Sequence, residues 1–226
     1  MTIKALIKRI PGATLAARTL RRWISTPNDF DSARYWEHRY RTGGNSGPGS
    51  YNRLAAFKAE FINSFVERNA IRTVIEFGCG DGAQLALMDY PNYVGVDVSQ
   101  TILDRVSARF AGDSTKRFIH SHAVTESNRA ELSLSLDVIY HLIEDRVFFA
   151  YMERLFGAAT RFVIIYSNNV DVPWGMTHER YRKFTHWVEQ NRPEYSLAQI
   201  EKNPYPMDPE DPENTSMADF FVYERR

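Results

Sequence analysis

Apolar and polar positions recur along this chain with two different periods, and each change of period marks the edge of an element. In SYNRLAAFKAEFINSFVERNA, Leu54, Phe57, Phe61 and Phe65 repeat at helical spacing, and Ser50 stands where a cap would. The next apolar runs are short and continuous. TVIEF reads as a strand buried on both faces, YVGVDV as a second and RFIHSHAV as a weaker third. TILDRVSARFA, between the second and third, has helical spacing. LSLSLDVIY predicts a fourth strand, HLIEDRVFFAYMERLFGAA an amphipathic helix, and RFVIIYSN a fifth strand. Beyond the loop NNVDVPWGMT the spacing predicts a helix over HERYRKFTHWVEQ that stops near Pro193. A loop rich in Pro, Asp and Glu leads to a last aromatic strand, ADFFVYER. Strands that alternate with helices argue for a mainly parallel α/β sheet covered on both faces, with ligands gathered at the carboxyl ends of its strands.

A glycine motif sits at such an end. Gly78, Gly80 and Gly82 follow the first strand, and Asp97 ends the second, 19 residues beyond Gly78. That acid is placed to accept hydrogen bonds from a ribose, so an adenosine-containing ligand follows. GCGDGA also satisfies the fingerprint of a nicotinamide-dinucleotide site. Glu76 weighs against that reading. A carboxylate two residues before the first glycine repels a pyrophosphate, whereas S-adenosylmethionine brings an ammonium and a sulfonium. Opposite charges ~4 Å apart are worth about 4 kcal/mol at a partly screened dielectric, so the sign of the ligand matters.

The run from Glu76 to Gly82, E-x-G-C-G-x-G, with VGVDVS after it, resembles the first two motifs of the class I S-adenosylmethionine-dependent methyltransferases. The resemblance extends over roughly residues 35–226, with LSLDVIYHL similar to the family's fourth strand and turn and ADFFVYER to its final strand. YWEHRYRTGGNSGPGSYNRLAAFKAEF resembles, more narrowly, a bacterial group associated with cell-surface polysaccharide and lipopolysaccharide synthesis. The resemblance implies a seven-stranded, doubly wound, Rossmann-like sheet whose last strand is antiparallel. It implies that Glu76, Gly78, Cys79 and Gly80 contact the methionyl end of the cofactor, that Asp97 anchors the ribose, and that Val98 flanks the adenine. His122 or Ala123 would lie along the adenine's edge. The expected activity is methylation, on oxygen, of a small polar acceptor such as a sugar or surface-glycan intermediate.

A neutral hydroxyl acceptor benefits from a nearby base. His141, a few residues beyond the fourth strand, is the first choice and is expected to begin the following helix; His178 is the second. Tyr166, Asn168, Asn169 and Trp174 share the second neighbourhood and could bind a sugar. Residues 35–50 are expected to form a lid, with Arg39 and Tyr40 beside the methionine carboxylate.

Composition narrows the alternatives. A chain of 226 residues with 43% hydrophobic positions supports one sizeable core. Lys+Arg and Asp+Glu both number 28, which gives no argument for a nucleic-acid partner. The single cysteine, Cys79, excludes an intrachain disulfide and fits a reducing, cytoplasmic setting. Cys/His pairs at structural-zinc spacing are absent, so no metal is expected. Residues 1–25 stand apart from the methyltransferase domain assigned to 26–226. They carry six bases and no acid, with short apolar stripes around Ile7 and Trp23, a pattern suited to peripheral contact with the inner membrane face or to docking on the domain itself. Three other functions are weighed: a non-catalytic adenosine-ligand binding protein, which intact Glu76 and Asp97 disfavour; a peptide methyltransferase; and an NAD-dependent oxidoreductase, for which too few residues follow the fifth strand.

Overall fold

The computed structural model describes residues 30–172 and 178–226; the basic arm at 1–25 and Trp174 lie outside the described residues. Seven strands share one sheet: β1 (Val74–Phe77), β2 (Tyr93–Asp97), β3 (Lys116–His120), β4 (Ala130–Leu136), β5 (Ala159–Ser167), β6 (Tyr195–Glu201) and β7 (Asp219–Arg225). Their order is β3-β2-β1-β4-β5-β7-β6. β3 through β5 run parallel, and β7 inserts antiparallel between β5 and β6. This is the expected seven-stranded, Rossmann-like methyltransferase sheet. Strand order runs outward in opposite directions from β1, to β2 and β3 on one side and to β4 and β5 on the other, so the carboxyl ends of these parallel strands frame one crevice at the switch point.

Five helices accompany the sheet among the described residues: α1 (Ser32–Arg41), α2 (Asn52–Arg68), α3 (Gln100–Arg109), α4 (Asp145–Ala158) and α5 (Phe184–Asn191). The apolar runs are continuous because both faces are covered. Along β5, Phe162, Ile164 and Tyr166 join Ile62 and Phe65 of α2 on one side. Val163 and Ile165 join Phe148, Met152 and Leu155 of α4 on the other. Each such side chain contributes about 2 kcal/mol on burial, which holds α2 in place without a capping side chain. Its cap residue is Tyr51, with no side-chain bond, and not Ser50.

The elements depart from the sequence pattern where polar contacts outrank periodicity. β3 stops at His120 and residues Ser121–Ala123 form a 3₁₀ turn. β4 ends at Leu136, and His141 closes a second 3₁₀ turn, Ile139–His141, instead of beginning a helix; α4 starts at Asp145. The helix predicted from His178 starts only at Phe184. The preceding residues run along the Ile139–His141 turn instead. Arg180 N–H donates to the Tyr140 carbonyl at 2.8 Å, and the Arg182 guanidinium donates to the Leu142 and Ile143 carbonyls. β6 had no apolar signature because it pairs only with β7 at the sheet's edge, and its Leu197 and Ile200 face solvent. No helix among the described residues is long and apolar enough to cross a membrane.

Candidate cofactor and acceptor site

Backbone conformation explains the glycine motif. Gly78 has φ +86° and Gly80 φ +55°, in the region that L side chains rarely adopt. A Cβ on Gly78 would lie 2.4 Å from Val138 Cγ2, and one on Gly80 would lie 2.3 Å from Ser46 Oγ. Gly78→Ala should therefore cost about 1–3 kcal/mol and displace the turn against a β-branched neighbour that cannot swing aside. Chemical unfolding with parallel cofactor titration reads both effects; unchanged stability and affinity would remove the glycine from the argument. No α-helix follows this turn. Only Leu85–Leu87 coils, as a three-residue 3₁₀ segment, before β2 begins. The loop thus lacks the helix N-terminus that makes the dinucleotide version of this motif attractive to phosphate.

Two buried acids flank the loop. Glu76 is 4% exposed and accepts a 2.7 Å bond from Tyr93 Oη. Burial pushes its carboxyl up to about 7, with the Tyr93 hydrogen bond acting in the opposite sense. Asp97, 6% exposed, accepts from Gly80 N–H and Ser99 N–H, each at 3.0 Å, while burial raises its carboxyl above the usual range. Asp97 therefore shapes the glycine turn as well as standing at its mouth. Val98 beside it is exposed, as are His122 and Ala123 at the end of β3. His120 links the two ends: its Nε2–H donates to the Val98 carbonyl at 2.9 Å, and its Nδ1 accepts from His122 N–H. The sequence reading missed His120, although it is the register partner of Asp97.

The segment expected to be a lid is half helix. In α1, Glu37 accepts from Ser99 Oγ at 2.6 Å and from the Thr101 hydroxyl and N–H, capping α3 from outside. Nothing in the spacing of Glu37 announces this role. Tyr40 is buried, its hydroxyl 3.2 Å from Ser46 Oγ. Ser46 N–H donates to Asp81 Oδ2, and Asp81 N–H donates to Ser46 Oγ, both at 2.9 Å. Tyr51 Oη adds a 2.6 Å bond to the same Asp81 oxygen. Arg39 turns away to the Asn45 carbonyl at 2.7 Å, where it shapes the loop. This segment is latched onto the glycine turn through Asp81.

Beyond β4, Asp137 adopts φ +59° and takes a 2.6 Å bond from Lys58 Nζ and a 2.9 Å bond from Tyr140 Oη. The two histidines singled out from sequence, far apart in the chain, meet here. Their rings lie 5.6 Å apart and 11° from parallel. Tyr35 stacks on His178 at 5.1 Å, and Trp36 meets His141 edge-on at 5.0 Å. His141 Nδ1 is 3.1 Å from the His178 carbonyl, and burial lowers this imidazole to about 4. His178 Nε2 lies 4.0 Å from Glu179 Oε1. Asn168, just past β5, is buried with no partner for its Oδ1 among the described residues, whereas Asn169 is bonded to Thr185 and Tyr166 packs in the core.

The donor set suits a cationic adenosine cofactor: glycines where a Cβ would intrude, two buried acids and an exposed apolar flank. Residues 75–164, less than half of the chain, match a family model described as a methyltransferase domain. No curated protein matches the sequence. Among solved structures, magnesium protoporphyrin IX methyltransferase from Synechocystis PCC 6803 with bound S-adenosylmethionine is similar at a TM-score of 0.62 and 12% identity, over 87% of this chain and 98% of that one. The N-methyltransferase NodS from Bradyrhizobium japonicum WM9 with S-adenosylhomocysteine is similar at 0.63 and 10%, over 87% and 99%. The methyltransferase domain of a bacterial Hen1 is similar at 0.57 and 21%, over 74% and 96%. Fold, turn and family match agree: residues 75–164 match a methyltransferase domain, and the sheet has the fold of solved S-adenosylmethionine-dependent methyltransferases.

Proposed function

We propose that the domain transfers the cofactor's methyl group to an oxygen of a small polar acceptor, with a sugar or cell-surface glycan intermediate preferred. The observation that carries this reading is the His141–His178 pair bracketed by the rings of Trp36 and Tyr35. Ring faces suit the apolar faces of a sugar, and His141, donating Nδ1–H to the His178 carbonyl, keeps the lone pair on Nε2 for an acceptor hydroxyl. Asn168 Oδ1, without a partner among the described residues, offers a further acceptor for such a hydroxyl. Neighbouring cations are already engaged: Lys58 by Asp137, Arg39 by Asn45, and Arg180 and Arg182 by Asp145. That arrangement favours a neutral acceptor over a phosphate-rich one.

In this reading Glu76, Gly78, Cys79 and Gly80 hold the methionyl end, Asp97 the ribose, and Val98, His122 and Ala123 the adenine. The bound cofactor supplies a methyl carbon already activated on a sulfonium. The chain's own task is to orient the acceptor oxygen in line and exclude water, from which much of the acceleration comes. Solved relatives with unlike acceptors show that the fold alone does not choose among them. The test is mass spectrometry of neutral sugars, glycan fragments, peptides and RNA incubated with the protein and S-adenosylmethionine. A methyl group added to glycan hydroxyls is the expected result; methylation confined to peptide or RNA would overturn the acceptor assignment.

A further inference from the structure

The histidine pair has a third member. Among the described residues, His141, His178 and Glu179 each present one donor atom within 4.8 Å of the others, and all three are partly accessible. Sequence spacing gave no hint of this group, because His141 arrives on the turn after β4 and the other two on the segment before α5. Each donor is oriented by a second contact. His141 Nδ1–H donates to the His178 carbonyl, which leaves Nε2 unprotonated and available. Glu179 Oε2 accepts from Tyr181 Oη at 3.1 Å, which leaves Oε1 directed to His178 Nε2. Tyr35 and Trp36 pack against the two rings. Hydrogen-bonded supports of this sort are what hold imidazole and carboxylate ligands in register around an ion.

We propose that His141, His178 and Glu179 form a site for a divalent transition-metal ion, such as Zn²⁺ or Mn²⁺, beside the acceptor. Two imidazole nitrogens and one carboxylate oxygen are the donor set that such ions prefer, with coordination positions left open, whereas Mg²⁺ prefers oxygen alone. Bond lengths of about 2.0–2.2 Å put neighbouring donors roughly 3–4 Å apart, so side-chain rotations that move each atom by about an ångström close the triangle. The functional consequence rests on the reading of this site as the acceptor side. With the ion bound, His141 Nε2 would serve as a ligand and not as the base assigned above, and a hydroxyl on the ion would be acidic enough to give its proton to solvent. Its oxygen lone pair then forms the O–CH₃ bond as the C–S bond breaks and returns its electron pair to sulfur, leaving S-adenosylhomocysteine.

Binding is measured without cofactor or acceptor, so its outcome is independent of the sugar assignment. Full-length protein stripped with chelator is dialysed against Zn²⁺, Mn²⁺ or Mg²⁺ and its metal content determined; Co²⁺ titration followed by visible absorption reports nitrogen ligation. The expected result is one equivalent of Zn²⁺ or Mn²⁺ per chain, little Mg²⁺, and at least a tenfold loss of affinity in His178→Ala and in the shape-conserving Glu179→Gln, as is usual when a metal site is disrupted. Unchanged S-adenosylhomocysteine binding by the variants checks that they fold. Failure of the wild-type protein to retain any of these ions, or equal retention by both variants, would overturn the site. Metal binding with no methylated sugar would leave the site standing and remove only the acceptor reading.

Discussion

Lys58→Met should destabilise the protein by about 3 kcal/mol, which lowers the melting temperature of a domain of this size by about 6–12 °C. Lys58 is 1% exposed, and its Nζ lies 2.6 Å from Asp137 Oδ2 and 5.1 Å from the Tyr166 ring centre. Methionine fills the space but leaves the Asp137 carboxylate without its countercharge, on a residue already held at φ +59°. Breaking one half of such a pair leaves an uncompensated charge, which is why the loss exceeds the net worth of the pair itself. Adding Asp137→Asn to Lys58→Met should recover part of the loss. Urea unfolding of the two single variants and the double variant measures the coupling. A loss below about 1 kcal/mol for Lys58→Met, with strict additivity, would mean that the pair is solvated in solution.

Glu76→Gln should weaken S-adenosylmethionine binding by about 100-fold or more, equivalent to about 2.7 kcal/mol, because the buried carboxylate supplies the charge opposite the cofactor's cationic groups. The same group sets a pH dependence. Its carboxyl titrates at about 7. Wild-type affinity should therefore rise between about pH 6 and pH 8 as Glu76 ionises, while the glutamine variant stays flat. Stability runs the other way. A carboxyl whose folded value is raised above the unfolded one binds more protons in the native state, so the cofactor-free protein loses stability as pH rises from about 4.5 to about 7. Cofactor-free Glu76→Gln should lack that loss. Calorimetric titration and thermal melts across this range test both signs; a pH-independent wild-type affinity would disconnect Glu76 from the cofactor.

The strands that position the cofactor turn were legible because they are buried on both faces, and continuous apolar runs such as TVIEF and RFVIIYSN survive any reading frame. β6 was not, because an edge strand that leaves Leu197 and Ile200 exposed has no alternation of buried and outward positions to read. The glycine turn could be read because its positive φ angles constrain residue type directly. His141 and His178 could be picked individually, but their meeting could not, since it depends on Arg180 and Arg182 fastening a segment of helical appearance to the carbonyls of the turn after β4. Glu37 and His120 were invisible for a similar reason. Their partners lie on other elements, and single polar residues on a polar stretch leave no pattern.

The Ser46–Asp81 latch is reciprocal: each residue's amide donates to the other's side chain. Separation of the loop from the turn breaks both bonds at once, and if this is the main route of opening, solvent deuterium should find the Ser46 and Asp81 amides protected to the same degree. A bound cofactor that rests against the turn should slow both by the same factor, so two amides from opposite sides of the seam would keep time as one clock.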